Sequence, residues 1–175
     1  MDPPSERQSS LQFTEVMHMK LYLVQHGEAC AEDVDPERPL TARGRADVAA
    51  LADFLGRAGV RVGRVVHSGK LRARQTAECL AASVAPGGAA EAGTGLAPND
   101  DPACFDWQGE SGGQDLLVVG HLPFMARAVS LLVLGEADRP VVAYTPGSLV
   151  CLETAGPGWQ IAWMVRPALL RGDRQ

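Results

Sequence analysis

The chain lacks the features that mark membrane-spanning, disulfide-rich and nucleic-acid-binding proteins. No apolar run approaches the roughly 18 residues of a membrane span. Its 4 cysteines form no C-x-x-C pair, so neither a disulfide framework nor a zinc site is indicated. The 16 Lys and Arg residues are outnumbered by 21 Asp and Glu, for a net charge of −5. This balance argues against a general partner that is a nucleic acid or a membrane surface.

The length and the hydrophobic content of the chain suit one globular domain. The chain has 175 residues, 46% of them hydrophobic, which is enough to bury a sizeable core. Residues 1–18 lack the basic and then apolar pattern of a secretory signal, and we expect them to be a disordered extension. A single domain is then expected over residues 19–175. The scattered cysteines are typical of a reducing compartment, so we expect a cytoplasmic protein.

Short apolar runs alternate with helical patterns along the chain. The patterns predict strands at residues 21–24, 64–68 and 115–120, helices at 41–59, 71–83 and 123–135, and a terminal hairpin at 148–165. Thr41 is the expected N-cap of the first helix, and Gly59 its expected stop. Residues 86–114 show little periodicity, and only a strand near 92–96 and a helical turn near 102–107 are expected there. Strands that alternate with helices predict an α/β fold with a layered, mostly parallel sheet.

Three of the predicted strands end at a histidine or a serine. The first ends at His26, the second at Ser68, with Arg72 one helical turn further on, and the third at His121. Carboxyl ends of parallel strands share one edge of a sheet, so these side chains are expected to converge. Arg38, in the loop after the first strand, can reach the same place. Gly27 leaves room for a ligand to approach the backbone.

Two imidazoles and two guanidiniums suit a phosphoryl group. Arginine offers a fork of donors that matches phosphate oxygens, and a neutral histidine can attack phosphorus. No set of carboxylates accompanies them in the pattern of a metal site. The sequence therefore predicts a phosphoryl-binding site that uses neither a metal nor another cofactor.

Four sequence blocks resemble a known family. They are L-x-L-V-x-H-G-E at 21–28, R-P-L-T-x-x-G at 38–44, S-x-x-x-R-A-x-Q-T-A at 68–77, and V-V-G-H-x-P at 118–123. In this order they are similar to the histidine phosphatase superfamily, above all to its short SixA-type phosphohistidine phosphatases. The resemblance runs from about residue 20 to 164. It implies a three-layer α/β/α fold, phosphoglycerate mutase-like, in a minimal version without a large lid insertion.

The resemblance also implies roles for particular residues. His26 would be the nucleophile that becomes phosphorylated, and His121 the second catalytic imidazole. Arg38 and Arg72 would bind the phosphoryl oxygens. Gln25 stands where the family usually has arginine, so it would supply a neutral hydrogen bond to phosphate in place of a charged fork.

The expected function is therefore a metal-independent phosphatase that acts through a phosphohistidine enzyme intermediate. Its expected partner is a protein phosphorylated on histidine, because imidazole is a good leaving group and needs little help from a general acid. Asp100 and Asp101 are candidates for such an acid. Two alternatives stay open: a phosphatase of small phosphomonoesters, and a non-catalytic module that binds phosphate or phosphohistidine, which the substitution at Gln25 favours.

Overall fold

The computed structural model describes residues 19–171, so the expected extension at 1–18 lies outside the described residues. The strands are β1 (Lys20–Gln25), β2 (Arg64–His67), β3 (Ala90–Ala92), β4 (Leu116–Gly120), β5 (Leu149–Ala155) and β6 (Gly158–Val165). The helices are α1 (Ala42–Arg57), α2 (Leu71–Val84), α3 (Trp107–Ser111), α4 (Phe124–Leu134) and α5 (Pro167–Leu170), with a 3₁₀ turn at Pro102–Cys104. Among these described helices, none is both long and apolar enough to cross a bilayer.

The six strands form one sheet in the order β3-β2-β4-β1-β5-β6. The first four run parallel, whereas β5 is antiparallel to β1 and β6 is antiparallel to β5. The expected α/β fold with a mostly parallel sheet is confirmed. In the register of β1 and β4, Gln25 lies opposite Gly120. The residues that follow, His26 and His121, therefore emerge side by side from neighbouring strands.

Helices cover both faces of the sheet and so make three layers. Alternation along β1 sends Tyr22 and Val24 into an apolar cluster with α1 and α2. Leu21 and Leu23 point to the opposite cluster, which contains α4 and the ring of Trp107. Both faces of the central strands are thus buried, as their unbroken apolar sequence predicts.

The structure corrects the expected elements between α2 and β4. The strand expected at 92–96 lies instead at Ala90–Ala92, on the edge of the sheet beside β2. The single helical turn expected at 102–107 is divided into the 3₁₀ turn and α3, and each begins at an aspartate that caps it, Asp101 and Asp106. Both corrections fall where no hydrophobic period guides the prediction. Helix α5, only 4 residues long, was not anticipated.

Candidate active site

An open cleft of about 440 Å³ lies at the carboxyl ends of the parallel strands. Its polar lining consists of Gln25, His26, Glu28, Arg38, Arg72 and His121, and its apolar lining of Ala29, Pro98, Leu122 and Pro146. A second cavity of about 420 Å³, around Met19 and Trp159, has no titratable side chain in its lining. Chemistry rather than size therefore distinguishes the cleft as the candidate active site. All five residues predicted for the site line it.

Two hydrogen bonds fix the tautomer of His26. Its Nδ1 lies 2.7 Å from the carbonyl oxygen of Gly27, which can only accept, so Nδ1 carries the proton. Its Nε2 accepts a bond from Nε of Arg72 at 3.2 Å. The ring is therefore neutral, with the lone pair on Nε2, the nitrogen whose partner is a cleft-lining guanidinium. This is the state that nucleophilic attack requires.

The surroundings of His26 keep it neutral over a wide pH range. Burial is the largest cause, and with the positive charges of Arg72 and Arg38 it lowers the pKa of His26 to about 4, against the opposing effect of the Gly27 hydrogen bond. An imidazolium has no lone pair on Nε2. The low pKa therefore makes the nucleophilic form the main one at neutral pH.

His121 faces His26, with the two ring centroids 4.9 Å apart. Its Nε2 is hydrogen-bonded to the hydroxyl of Ser68, which follows the neighbouring strand β2. Burial is the largest cause that lowers the pKa of His121 to about 3, followed by electrostatic interaction with the neighbouring His26 ring and with Arg72. The buried Nδ1 has no protein partner among residues 19–171. Both imidazoles are thus neutral at pH 7 and border the same space.

Helix α2 connects Arg72 to the loop that contains His26 and Gly27 through one buried hydroxyl. Oγ1 of Thr76 accepts from the backbone N–H of Gly27 at 3.1 Å and donates to the carbonyl of Arg72 at 2.8 Å. Gly27 does not make room for a ligand, contrary to expectation. A Cβ there would lie 2.8 Å from Cγ2 of Val48, so the space is taken by helix α1.

Arg38 reaches the cleft from the loop between β1 and α1. Its backbone φ is +51°, a left-handed conformation that is uncommon for a residue with a side chain. Its Nε donates to the carbonyl of Cys30 at 3.2 Å, which turns the side chain back across the loop. The loop is fastened to α2 where the N–H of Leu40 donates to Oε1 of Gln75 at 2.8 Å. These contacts hold a strained backbone beside the cleft, as is common at functional sites.

Gln25 is almost fully buried, at 8% exposure, although it borders the cleft. Its backbone N–H is bonded to the carbonyl of Ser148, so the strand position is firmly set. Its Oε1 has no partner among residues 19–171. Gln25 therefore contributes a neutral amide where a guanidinium would have added a third positive charge.

Asp100 and Asp101, the candidates for a general acid, do not line the cleft. Each carboxylate caps a local turn: Asp100 accepts from the N–H of Ala97, and Asp101 from the N–H of Ala103. Glu28 is the carboxylate that does border the cleft. Across residues 19–171, no group of three or more His, Cys, Asp and Glu side chains is placed to hold a metal ion.

Sequence reasoning missed the supporting roles of Ser68, Gln75 and Thr76. All three belong to the block at 68–77, where their spacing around Arg72 was available as a signal. Ser68 follows β2 and bonds to His121, whereas Gln75 and Thr76 lie one turn after Arg72 and bond to two points of the loop between β1 and α1. Hydrogen bonds between elements distant in sequence have no periodic pattern, so only coordinates reveal them.

Acidification is expected to remove activity in a defined pH range. With 4-nitrophenyl phosphate, and after correction for ionisation of the substrate, kcat/KM should stay nearly constant down to about pH 5. It should then fall about tenfold per unit below about pH 4, because protonation removes the lone pair of His26, whose pKa is lowered to about 4. A midpoint near pH 6.5 in the profile of kcat/KM would show that the His26 ring titrates as it does in water, and would contradict this account.

The lowered pKa of His26 also makes the stability of the fold depend on pH. Circular dichroism should therefore be recorded as a control. His26 has a lower pKa in the folded chain than its ordinary value of 6.5. Between these values the unfolded chain binds more protons, so the free energy of unfolding falls as the pH falls. Activity lost while the dichroism is unchanged reports protonation within the cleft and not unfolding.

The architecture and the site together define a phosphoglycerate mutase-like α/β protein with an anion-binding cleft at its strand ends. The family model of the histidine phosphatase superfamily (branch 1) matches residues 21–92. The phosphohistidine phosphatase SixA of Escherichia coli is 29% identical over 158 residues, which span 87% of this chain and 97% of SixA. An uncharacterized protein of Picosynechococcus is 34% identical over 131 residues, spanning 69% of this chain and 77% of that protein.

Solved structures agree with the sequence comparisons. The structure of the protein histidine phosphatase SixA complexed with tungstate has a TM-score of 0.75 and 26% identity, and the match covers 87% of this chain and 99% of that one. The chain belongs to the histidine phosphatase superfamily and is SixA-like. This similarity, which extends along nearly the whole length of SixA, supports phosphatase activity.

Proposed function

We propose that the protein is a metal-independent phosphatase that removes phosphate from phosphohistidine in proteins, through a phosphohistidine intermediate on His26. One observation carries the proposal. The neutral His26 ring faces His121 at 4.9 Å in a cleft that Arg38 and Arg72 also line. The donors around the nucleophile are guanidinium, imidazole and amide groups, which are suited to bind an anion and not a cation.

The proposed reaction has two steps. Nε2 of His26 attacks phosphorus in line, the Nε2–P bond forms, and the bond to the leaving group breaks. Arg72 releases Nε2 and directs its donors to the phosphoryl oxygens, which Arg38, His121 and Gln25 also contact. Water then hydrolyses the phosphohistidine and returns His26 to its neutral form. The donors stabilise charge where it develops in each transition state.

The chemistry of the leaving group favours phosphohistidine over a phosphate ester of an alcohol as the substrate. An alkoxide needs a general acid, whereas an imidazole departs readily. The segment between α2 and β4 contains only β3, a 3₁₀ turn and the 5-residue α3, and its aspartates cap turns outside the cleft. The cleft is also open, which suits a phosphoryl group carried on another protein. The similarity to SixA supports the same substrate class.

Parallel assays test the substrate class. A protein phosphorylated on histidine and a sugar phosphate should be compared under the same conditions. We expect kcat/KM to be at least about 100-fold higher for the phosphohistidine protein, because only the sugar phosphate depends on a general acid. Equal or reversed values would instead identify a phosphatase of small phosphomonoesters. Binding without turnover, unchanged in His26→Ala, would identify a non-catalytic module.

Replacing Gln25 by arginine is expected to raise turnover. A charge-assisted contact contributes about 1.5–3 kcal/mol, so kcat/KM of Gln25→Arg should rise by about tenfold or more. Gln25→Leu, of similar size but without a donor, should instead lower kcat/KM. A fall in both variants would show that the amide itself is required and that an added charge does not substitute for it.

A further inference from the structure

Glu28 has an unusual position for a carboxylate, because it lines a cleft built for an anion. It is the only acidic residue in the described lining, two positions after His26. Its Oε1 accepts from the hydroxyl of Thr41, the N-cap of α1, at 2.7 Å. Within residues 19–171 its side chain makes no other hydrogen bond or ion pair. One oxygen is therefore anchored, and the other is available to a bound molecule.

A carboxylate at this place repels a simple phosphate ester. Arg38 and Arg72 each carry a charge of +1 and Glu28 carries −1, whereas both imidazoles are neutral at pH 7. The side chains that line the cleft therefore have a net charge of +1. A phosphomonoester dianion brings a charge of −2. A phosphohistidine whose ring is protonated on its second nitrogen carries −2 on the phosphoryl group and +1 on the ring. Its net charge of −1 complements the net charge of +1 in the cleft.

The space next to Glu28 also suits a leaving group attached to a polypeptide. Glu28 and Pro146 border both the cleft and a neighbouring cavity of about 310 Å³. This cavity is lined on its far side by residues of α1 and α5, among them Arg43 and Pro167. A leaving group held at Glu28 thus has room beyond it.

We propose that Glu28 recognises the leaving group, by accepting a hydrogen bond from the protonated imidazole ring of the substrate phosphohistidine. The inference rests on the proposed function. As the bond from Nε2 of His26 to phosphorus forms, the P–N bond of the substrate breaks, and its electron pair goes to the ring nitrogen. The proton on the other ring nitrogen stays there, next to Glu28. A neutral imidazole therefore departs without a proton from a separate acid.

Glu28→Gln tests this role, because glutamine keeps the size and an oxygen that accepts from Thr41 but loses the charge. We expect kcat/KM for a phosphohistidine protein to fall about tenfold. With 4-nitrophenyl phosphate, whose leaving group carries no N–H, kcat/KM should stay the same or rise, since a repelling charge is removed. Opposite responses of two substrates are not produced by a merely structural role.

Glu37→Gln is the matched control, because Glu37 is exposed in the same loop and does not line the cleft. It should leave both substrates unaffected. The pH profile gives a second readout: kcat/KM for phosphohistidine should fall as the substrate ring loses its proton, and this dependence should weaken in Glu28→Gln. Equal changes for both substrates, or an equal effect of Glu37→Gln, would overturn the role of Glu28. Wild-type protein without phosphohistidine turnover would instead overturn the proposed function.

Discussion

Replacing His26 by alanine is expected to lower kcat by at least about 1,000-fold, because it removes the nitrogen that is proposed to form the covalent intermediate. The ring is neutral, is held by Gly27 and Arg72, and directs its lone pair from Nε2. The wild-type protein, mixed with substrate and quenched in alkali, should carry phosphate that is lost on acidification, as expected for a P–N bond. Mass spectrometry should locate this phosphate on His26.

His67→Asn is the matched control for that substitution. His67 is also buried at the end of a parallel strand, but its Nδ1 only accepts from the N–H of Gly69. Asparagine offers an oxygen that can accept the same bond, so activity should change little. Retained turnover in His26→Ala, or labelled phosphate elsewhere in the chain, would contradict the assignment of the nucleophile.

Arg72→Lys is expected to lower kcat/KM by about 100-fold although the charge is kept. Nε of Arg72 donates to Nε2 of His26 at 3.2 Å, so in the proposed reaction its planar fork is next to the phosphoryl group that His26 accepts. Lysine offers a point charge without the fork, and two charge-assisted bonds contribute about 3 kcal/mol or more in total. The inhibition constant of inorganic phosphate should rise with the loss of kcat/KM, because substrate and product share the contact.

Arg74→Lys controls for a change of arginine on the same helix. Arg74 lies two residues further along α2, is more than half exposed and contacts Glu78 at 3.8 Å. Such a surface pair contributes little, so both kcat/KM and phosphate inhibition should stay near their wild-type values. Equal losses in the two variants would indicate damage to α2 and not the loss of a phosphate contact.

Local patterns predicted the elements on which the site is built. The unbroken apolar run of β1 predicted a strand buried on both faces, and Thr41 was recognised as the N-cap of α1, where its hydroxyl accepts from Gly44. Since parallel strands end at one edge, placing His26 and His121 after such strands was enough to predict that they meet. The fold class and the family are both confirmed.

The contacts that tune the site could not be predicted in this way. The bond of Ser68 to His121 and the left-handed backbone of Arg38 depend on how separate elements approach each other. The edge strand β3 contains only Ala90–Ala92, too few residues to show a period of two. The sequence gives no role for Glu28, because the role of a carboxylate two residues after His26 depends on which side chains surround it.

The hydroxyl of Thr76 has a consequence for the energetics of turnover. It is bonded at once to the loop of His26 and to the backbone of Arg72, in an interior with no exposed surface at that residue. In the proposed reaction, Nε2 of His26 and the guanidinium of Arg72 are thereby preorganised: the entropy lost in aligning them is lost when the chain folds, not in each catalytic cycle.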